Sequence, residues 1–176
     1  MKKLAGLLLL IVGLTLTIGA GANFRYYEAD RSITVNVVSD DNEFIDLTPL
    51  QPYAYLNNGK LTVEISPNNP NYPGYGDGMS VNTTYVFEEM FKVSNELWEN
   101  AEEEFPICVQ ISVSQNSGIE IFAGSYDDPV SGPGTQIQFT VYHDEPVPVG
   151  FIFTNGEDMG SHQVQMSVNA EAGACD

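Results

Sequence analysis

Hydrophobic and polar residues alternate with a period of two along most of the chain, the pattern of β-strands that bury one face. In "RSITVNVV", Ile33, Val35 and Val37 fall on one face, and Ser32 and Thr34 on the other. Similar alternation, rich in β-branched and aromatic residues, recurs at regular spacing. We predict strands within residues 31–38, 53–66, 81–95, 106–115, 118–124, 135–143, 147–155 and 162–172.

Turn residues separate these segments. Asn58-Gly59 supplies the positive φ angles of a tight hairpin turn inside residues 53–66. Residues 66–78, with three prolines and three glycines, predict a long loop, and residues 127–134 predict a turn. Only 96–105, "ELWENAEEEF", has helix chemistry, with Ser94 or Asn95 as its cap.

Eight or nine short strands at this spacing, with no repeat and no change of composition, predict one all-β domain. We expect a single jelly-roll-like β-sandwich with one short helix. The predicted organisation is a signal peptide at 1–22, an N-terminal arm at 23–30 and the β-sandwich at 31–176.

The first residues have the features of a secretory signal. Lys2 and Lys3 precede the uncharged apolar stretch 4–18, and Ala20-Gly21-Ala22 provides a small-residue cleavage site, so we place the cut after Ala22. Two alternatives are a retained membrane anchor, since residues 4–22 approach the length of a spanning helix, and a pilin-type leader cut near Gly6. The signal-peptide interpretation predicts a secreted protein at the cell surface.

The acidic charge restricts the partners. The chain has 24 acidic and 6 basic residues, and removal of 1–22 leaves four basic residues, a formal charge of 4 − 24 = −20. Nucleic acid and anionic membrane surfaces would be repelled, so we expect neither as a partner. Such a charge is compatible with high salt or with bound divalent cations.

Covalent modification is suggested at two places. In an oxidising compartment Cys108 and Cys175 are expected to form a disulfide, the alternative being one buried and one exposed thiol. Asn82-Thr83-Thr84 is an N-glycosylation sequon, which makes Asn82 a candidate acceptor on an exported chain.

Motifs for catalysis are lacking. The sequence has no nucleophile elbow, no Cys-x-x-Cys pair and no phosphate-binding loop with its lysine, and its many carboxylates do not single out a glycosidase pair. We therefore expect no enzymatic activity and no organic cofactor. Calcium is the one metal suggested, since two turns offer hard oxygen ligands, although a solvated acidic loop is the simpler interpretation. The candidate ligands are Asp40, Asp41, Glu43, Asp127 and Asp128.

Three blocks of sequence resemble a known family. They are "GANFRYYEADRSITVNVVSDDNEFIDLTP", "VNTTYVFEEMFKVSN" and the closing "HQVQMSVNAEA". They resemble exported archaeal proteins, long known only as a domain of unknown function, which include subunits of bundling pili and are similar in fold to the bacterial TasA/camelysin biofilm-fibre proteins. The cysteine pair, the 66–78 loop and the acidic helix have no counterpart in that pattern.

The resemblance implies a jelly-roll subunit of an extracellular filament, in which an N-terminal strand of one subunit inserts into the next. Carried onto this chain, that donor strand reaches towards residues 31–38. Its residues are Asn23, Phe24, Arg25, Tyr26, Tyr27 and Glu28. The expected partners are other copies of the chain and neighbouring filaments in bundles.

The residues themselves leave a second possibility for this arm. "NFRYY" has high β-propensity and lies at a mature terminus without proline, which suits pairing with a second chain. Equally, its aromatic side chains can pack on their own domain. The alternative functions are a monomeric cell-surface module that binds glycans or surface-layer components, suggested by Tyr72 and Tyr75, and a hydrolase with unidentified carboxylates.

Overall fold

The computed structural model describes residues 33–97, 105–156, 160 and 163–176, and within them the regular structure is entirely β. Ten strands are present in the described residues. They are β1 (Ile45–Pro49), β2 (Ala54–Asn57), β3 (Lys60–Val63), β4 (Thr84–Asn95), β5 (Ile107–Val113), β6 (Ile119–Gly124), β7 (Pro129–Gly134), β8 (Gln136–Val141), β9 (Val147–Thr154) and β10 (Met166–Ala172).

The strands form three antiparallel sheets in a sandwich-like arrangement, which confirms the predicted all-β sandwich. The largest sheet has the order β1-β4-β9-β6-β7, the second has the order β10-β5-β8, and β2 and β3 form a separate hairpin. The second and third sheets are not hydrogen-bonded to each other. All three contribute side chains to one hydrophobic cluster.

Period-two patterning creates this cluster. In β5 the residues Ile107, Val109, Ile111 and Val113 are buried, while the intervening positions are only half-buried. β8 presents Ile137, Phe139 and Val141 in the adjacent register. From the five-stranded sheet come Leu47, Phe91, Val93, Ile121, Val149, Phe151 and Phe153. Each side chain of this kind contributes roughly 1.5–3 kcal/mol when fully buried.

Two local predictions are confirmed in detail. Asn58 and Gly59 have φ angles of 51° and 79°, and Leu56 pairs with Leu61 across the β2–β3 hairpin. The long strand expected in 81–95 is the bulged strand β4, whose pairing with β9 shifts register between Phe87 and Phe91. Turn chemistry and β-branched composition specify both features locally.

Three expectations about strands were wrong. Residues 129–134 form the edge strand β7 instead of a turn, since prolines are tolerated on a sheet edge. Residues 45–49 form β1, a strand that was not predicted because acidic residues surround it in the sequence. Conversely, residues 33–38 form no strand and no bridge, although their alternation is regular. Alternation places apolar side chains on one face, but a strand also needs a neighbouring strand that hydrogen-bonds to its backbone N–H and C=O groups.

Some predictions lie outside the described residues. These are the signal peptide and arm, both within 1–32, and most of the acidic helix, of which 98–104 are not described. Ser94 and Asn95, the predicted caps, end β4, and Asn95 Oδ1 accepts a hydrogen bond from the Leu97 N–H, the i to i+2 bond that caps make. Within the described residues no helix has the length and apolarity needed to cross a membrane.

The chain divides into two compact units, residues 1–36 and 37–176, and all ten strands belong to the second unit. The first unit is described only at residues 33–36.

A close contact fixes the centre of the five-stranded sheet. Phe122, fully buried, lies outside the main cluster, although its neighbours Ile121 and Ala123 belong to it. It pairs with Gly150 across β6 and β9 and makes an edge contact with Tyr126 at a ring distance of 5.6 Å. A Cβ at position 150 would lie 2.2 Å from Phe122 Cζ and 2.7 Å from the Phe87 carbonyl oxygen.

We therefore expect Gly150→Ala to destabilise the fold by about 1–3 kcal/mol through overpacking. Chemical denaturation measures this loss. Gly156→Ala is the matched control, because a Cβ there would meet no atom within 4 Å. Equal stability of the two variants would contradict the packing described.

Candidate functional site

An apolar segment with no strand partner among the described residues precedes the sandwich. We call residues 33–38, Ile-Thr-Val-Asn-Val-Val, the leading segment. Its alternate side chains Ile33, Val35 and Val37 are 92%, 76% and 95% exposed. Single exposed apolar residues are common on protein surfaces, but three on one face of a β-type segment are not. They form the most exposed regular apolar pattern among the described residues.

Asp40, two residues after this segment, joins two of the sheets. Its carbonyl oxygen accepts a hydrogen bond from Leu47 N on β1 at 2.6 Å. Its N–H donates to the Gly59 carbonyl, and its Oδ2 accepts from Leu61 N on β3 at 2.7 Å. Asp40 therefore occupies one backbone N–H group on each of the two strands, those of Leu47 and Leu61.

This geometry argues against the calcium site expected at residues 40–43. The Asp40 carboxylate is committed to Leu61 N, and Asp41 Oδ1 accepts from Ser39 Oγ and Asn42 Nδ2. The hydrogen bond from Ser39 is the largest influence on the Asp41 carboxyl and lowers its pKa. Nowhere in the described ranges do three or more His, Cys, Asp or Glu side chains converge as a metal site would require.

The carboxylates here repel one another. Partial burial, followed by the charges of Asp40 and Asp46, raises the pKa of Glu43. For Asp46, partial burial and then the charges of Glu96 and Asp41 raise the pKa, against a smaller lowering by Lys92. The Oδ1 atom of Asp46 is buried and has no hydrogen-bond partner. We call Asp40, Asp41, Glu43, Asp46 and Glu96 the acidic corner.

The second pair of candidate calcium ligands, Asp127 and Asp128, is not joined by a third acidic side chain among the described residues. Asp127 and Asp128 are exposed in the turn between β6 and β7. The carboxylate that contacts this turn is that of Glu88, which lies on the bulge of β4. Its Oε1 accepts a hydrogen bond from Tyr126 N at 2.8 Å. Gln51 Nε2 donates to the Glu88 carbonyl oxygen. The bulge therefore ties together the loops at this end of the sheet.

The predicted disulfide is present. Cys108 on β5 and Cys175 are joined by a disulfide, with a Cα–Cα distance of 4.8 Å and a sequence separation of 67. The segment after β10 crosses β5 and reaches β8, because Gly173 N donates to the Pro106 carbonyl and Cys175 N donates to Thr140 Oγ1 at 2.9 Å. We call residues 173–176 the C-terminal strap.

Residues 66–78 form an ordered loop around a buried asparagine. Asn69 is 6% exposed, and its Nδ2 donates to the carbonyl oxygens of Pro52 and Glu64. Tyr72 Oη donates to Asp77 Oδ1 at 2.8 Å, a bond that raises the Tyr72 pKa. The Tyr75 ring, 80% exposed, remains available to a partner.

Asn82, the candidate glycosylation site, lies exposed in the turn before β4 with a φ angle of 50°. Its backbone N–H donates to the Gly156 carbonyl oxygen at 3.1 Å. Attachment of a glycan there stays a prediction.

The donor residues 23–28 lie outside the described part of the chain. The sequence did indicate the apolar alternation in residues 33–38, and the structure shows that the apolar side chains of this alternation are exposed. It gave no signal for the bridging role of Asp40, which looked like one more acid in a turn.

One family model matches residues 37–175, described as "Protein of unknown function (DUF1102)". The chain belongs to the DUF1102 family. No match to the chain is found among curated proteins or among solved structures. The match extends from the end of the leading segment to the C-terminal strap, and so takes in the whole sandwich.

Removing one charge from the acidic corner should stabilise this DUF1102 chain. A carboxyl whose folded pKa is raised stabilises the fold below its unfolded pKa and loses that contribution as pH rises through the folded value. Asp46→Asn should therefore increase the urea midpoint at pH 7 and reduce the loss of stability above about pH 4, the ordinary value of an aspartate.

Asp128→Asn, in an exposed turn, is the control for a general effect of net charge. A midpoint that rises equally in both variants would show that the local repulsion around Asp46 has no special weight.

Loss of the disulfide should cost about 4 kcal/mol in the chain-entropy model for a loop of this length. We expect Cys108→Ser combined with Cys175→Ser to lower the free energy of unfolding by that order, measured by urea denaturation. Reduced wild-type protein should show the same decrease. Stability unchanged in both would mean that the strap does not constrain the chain.

Proposed function

We propose that the protein is a structural subunit of an extracellular filament and that it polymerises by lending its N-terminal β-segment to a neighbouring copy. The observation that carries the proposal is the leading segment, with Ile33, Val35 and Val37 exposed and no strand partner. Its continuation towards the N-terminus is the aromatic arm 23–30, which extends the same β-type composition.

Physical reasoning favours a polymer over a monomer with this surface. Exposed apolar β-segments promote association, and monomeric proteins protect them with charge or proline. The leading segment contains neither. Pairing with another chain would add several backbone hydrogen bonds, each worth roughly 0.5–1.5 kcal/mol net. Such a head-to-tail contact, when it does not close into a ring, generates a fibre.

Charge would govern lateral contacts between filaments. At −20 per mature subunit, neighbouring filaments repel unless cations screen or bridge them. The acidic corner, where burial and neighbouring carboxylates already raise two pKa values, is a local example of the same repulsion. Bundles of such filaments would form at high ionic strength and separate at low ionic strength.

A monomeric surface module that binds glycans is the second candidate. Tyr75 favours it, because an exposed ring on a loop ordered by Asn69 and by the Tyr72–Asp77 hydrogen bond is a suitable stacking platform. A binding module would remain a single small species at all concentrations and would be retained on a carbohydrate column. The leading segment has no role in that function.

The filament proposal predicts the effect of a charge in the leading segment. In the full chain, Val35→Lys or Val37→Lys should abolish polymers seen by electron microscopy while the monomer keeps its unfolding midpoint, since both side chains are exposed. The added positive charge would reduce electrostatic repulsion between acidic subunits. A loss of filaments would therefore mean that the leading segment no longer packs against a neighbouring copy, and could not be explained by increased charge repulsion.

Val130→Lys is the matched control, because Val130 is a 68% exposed valine on β7. Deletion of 23–30 tests the arm in the same assay. Filaments of normal length from the leading-segment variants, or from the deletion, would contradict strand donation.

A further inference from the structure

The two larger sheets have four outermost strands, β1, β7, β8 and β10, and three of their outer edges are protected. Leu47 N of β1 is occupied by the Asp40 carbonyl oxygen. β7 contains Pro129 and Pro133. On β8, Gln138 N donates to Ser131 Oγ at 3.2 Å. A proline or an occupied N–H makes an edge a poor template for a further strand.

β10 lacks this protection. It contains neither proline nor lysine, and within the described residues its hydrogen bonds are those of its pairing with β5. Its seven residues pair in unbroken register from Met166↔Val113 to Ala172↔Ile107, with no bulge to turn the edge away. Among the residues that the structure describes, one side of β10 is therefore a regular row of backbone donors and acceptors without partners.

The core-facing side of β10 is also incompletely covered. Four of its residues share a face with the buried row of β5: Met166, Val168, Ala170 and Ala172. The β5 residues are buried, yet Met166 and Val168 are only half-buried and the two alanines are exposed. In the described part of the chain, the sandwich therefore ends at β10 with an apolar row that is only partly covered.

A hollow continues this row at the end of β10. Its volume is about 270 Å³, and its lining is almost wholly apolar, made by Leu97, Phe105, Pro106, Ala172 and Gly173. Small-molecule pockets usually enclose about 300–1,000 Å³ and contain several convergent polar groups. This hollow is smaller, and its described lining residues offer no such side-chain groups, so it suits an apolar side chain better than a soluble ligand.

The leading segment matches this edge in length, pattern and charge. Six residues in β-conformation span about 20 Å, close to the length of β10. Ile33, Val35 and Val37 form one apolar face, as the core-facing row of β10 does. The segment carries no charge and β10 carries only Glu171, so pairing avoids the repulsion that most acidic surfaces of this chain would impose.

We propose that the acceptor of the donated strand is the free edge of β10, which pairs with residues 33–38 of a second copy of this chain. This inference rests on the proposed strand donation. The C-terminal strap has a positioning role: the Cys108–Cys175 bond and the Gly173–Pro106 hydrogen bond hold the end of β10 against β5. The strap thus keeps the acceptor edge in place without touching the donated strand.

Inter-subunit cross-linking tests the assignment directly. Filaments of the full chain carrying Val35→Cys together with Val168→Cys or Ala170→Cys should give a ladder of covalent multimers under oxidising, non-reducing conditions, with the 35–168 or 35–170 linkage identified by peptide mapping. Val35→Cys with Val130→Cys on β7 is the control and should give no ladder. A ladder from the β7 pair and none from the β10 pairs would overturn the proposal.

Blocking the edge gives an independent test. Ala170 is exposed, so Ala170→Arg should leave the unfolding midpoint of the monomer near that of the wild type but reduce polymer at least tenfold in a sedimentation assay. Val130→Arg should polymerise normally. If Ala170→Arg polymerises like the wild type while Val37→Lys does not, the acceptor lies elsewhere and strand donation stands. If the wild type itself forms no polymer, both proposals fail.

Discussion

Every β-strand has two rows of backbone hydrogen-bonding groups, and an outermost strand satisfies only one of them within its sheet. This constraint organises the molecule. Asp40 covers free backbone groups on β1 and β3, prolines restrict β7, and Ser131 covers part of β8. β10 alone among the outer strands of the two larger sheets keeps an open edge within the described residues.

Among the residues that the structure describes, the leading segment lacks a sheet to join, just as β10 lacks a neighbouring strand on one side. It has the alternation of a strand, pairs with no strand in the described part of the chain, and has an exposed apolar face. The chain thus contains both an unpaired β-type segment and an unpaired sheet edge within its described residues. The simplest arrangement that satisfies both is pairing between two copies of the chain. The acidic composition limits other forms of association, because most surfaces of one copy repel those of the next. An uncharged segment escapes that repulsion.

The sequence predicted those features that depend on local chemistry. Period-two alternation located most strands, and Asn58-Gly59 located the hairpin turn. The Cys108–Cys175 bridge followed from the number of cysteines and from the oxidising compartment that a signal peptide would imply. Each of these requires only the composition of a short stretch or a count over the chain.

The features that the sequence missed depend on long-range pairing. β7 looked like a turn because its prolines are acceptable only once the strand lies at an edge. Residues 31–38 were predicted to form a strand, because alternation does not reveal whether a partner strand exists. For Asp40 and Asp41, the sequence left open a calcium site or a solvated acidic loop, and it did not indicate that Leu61 N, Ser39 and Asn42 hydrogen-bond to their carboxylates. Only the three-dimensional pairing shows which groups are already satisfied.

A cryo-electron microscopy map of filaments assembled from the chain tests the central claim most directly. At a resolution that distinguishes side chains, the account predicts one additional strand beside β10, contributed by the preceding subunit and carrying Ile33, Val35 and Val37 on its buried face. A map in which those residues pair within their own subunit, with β10 open to solvent, would contradict it.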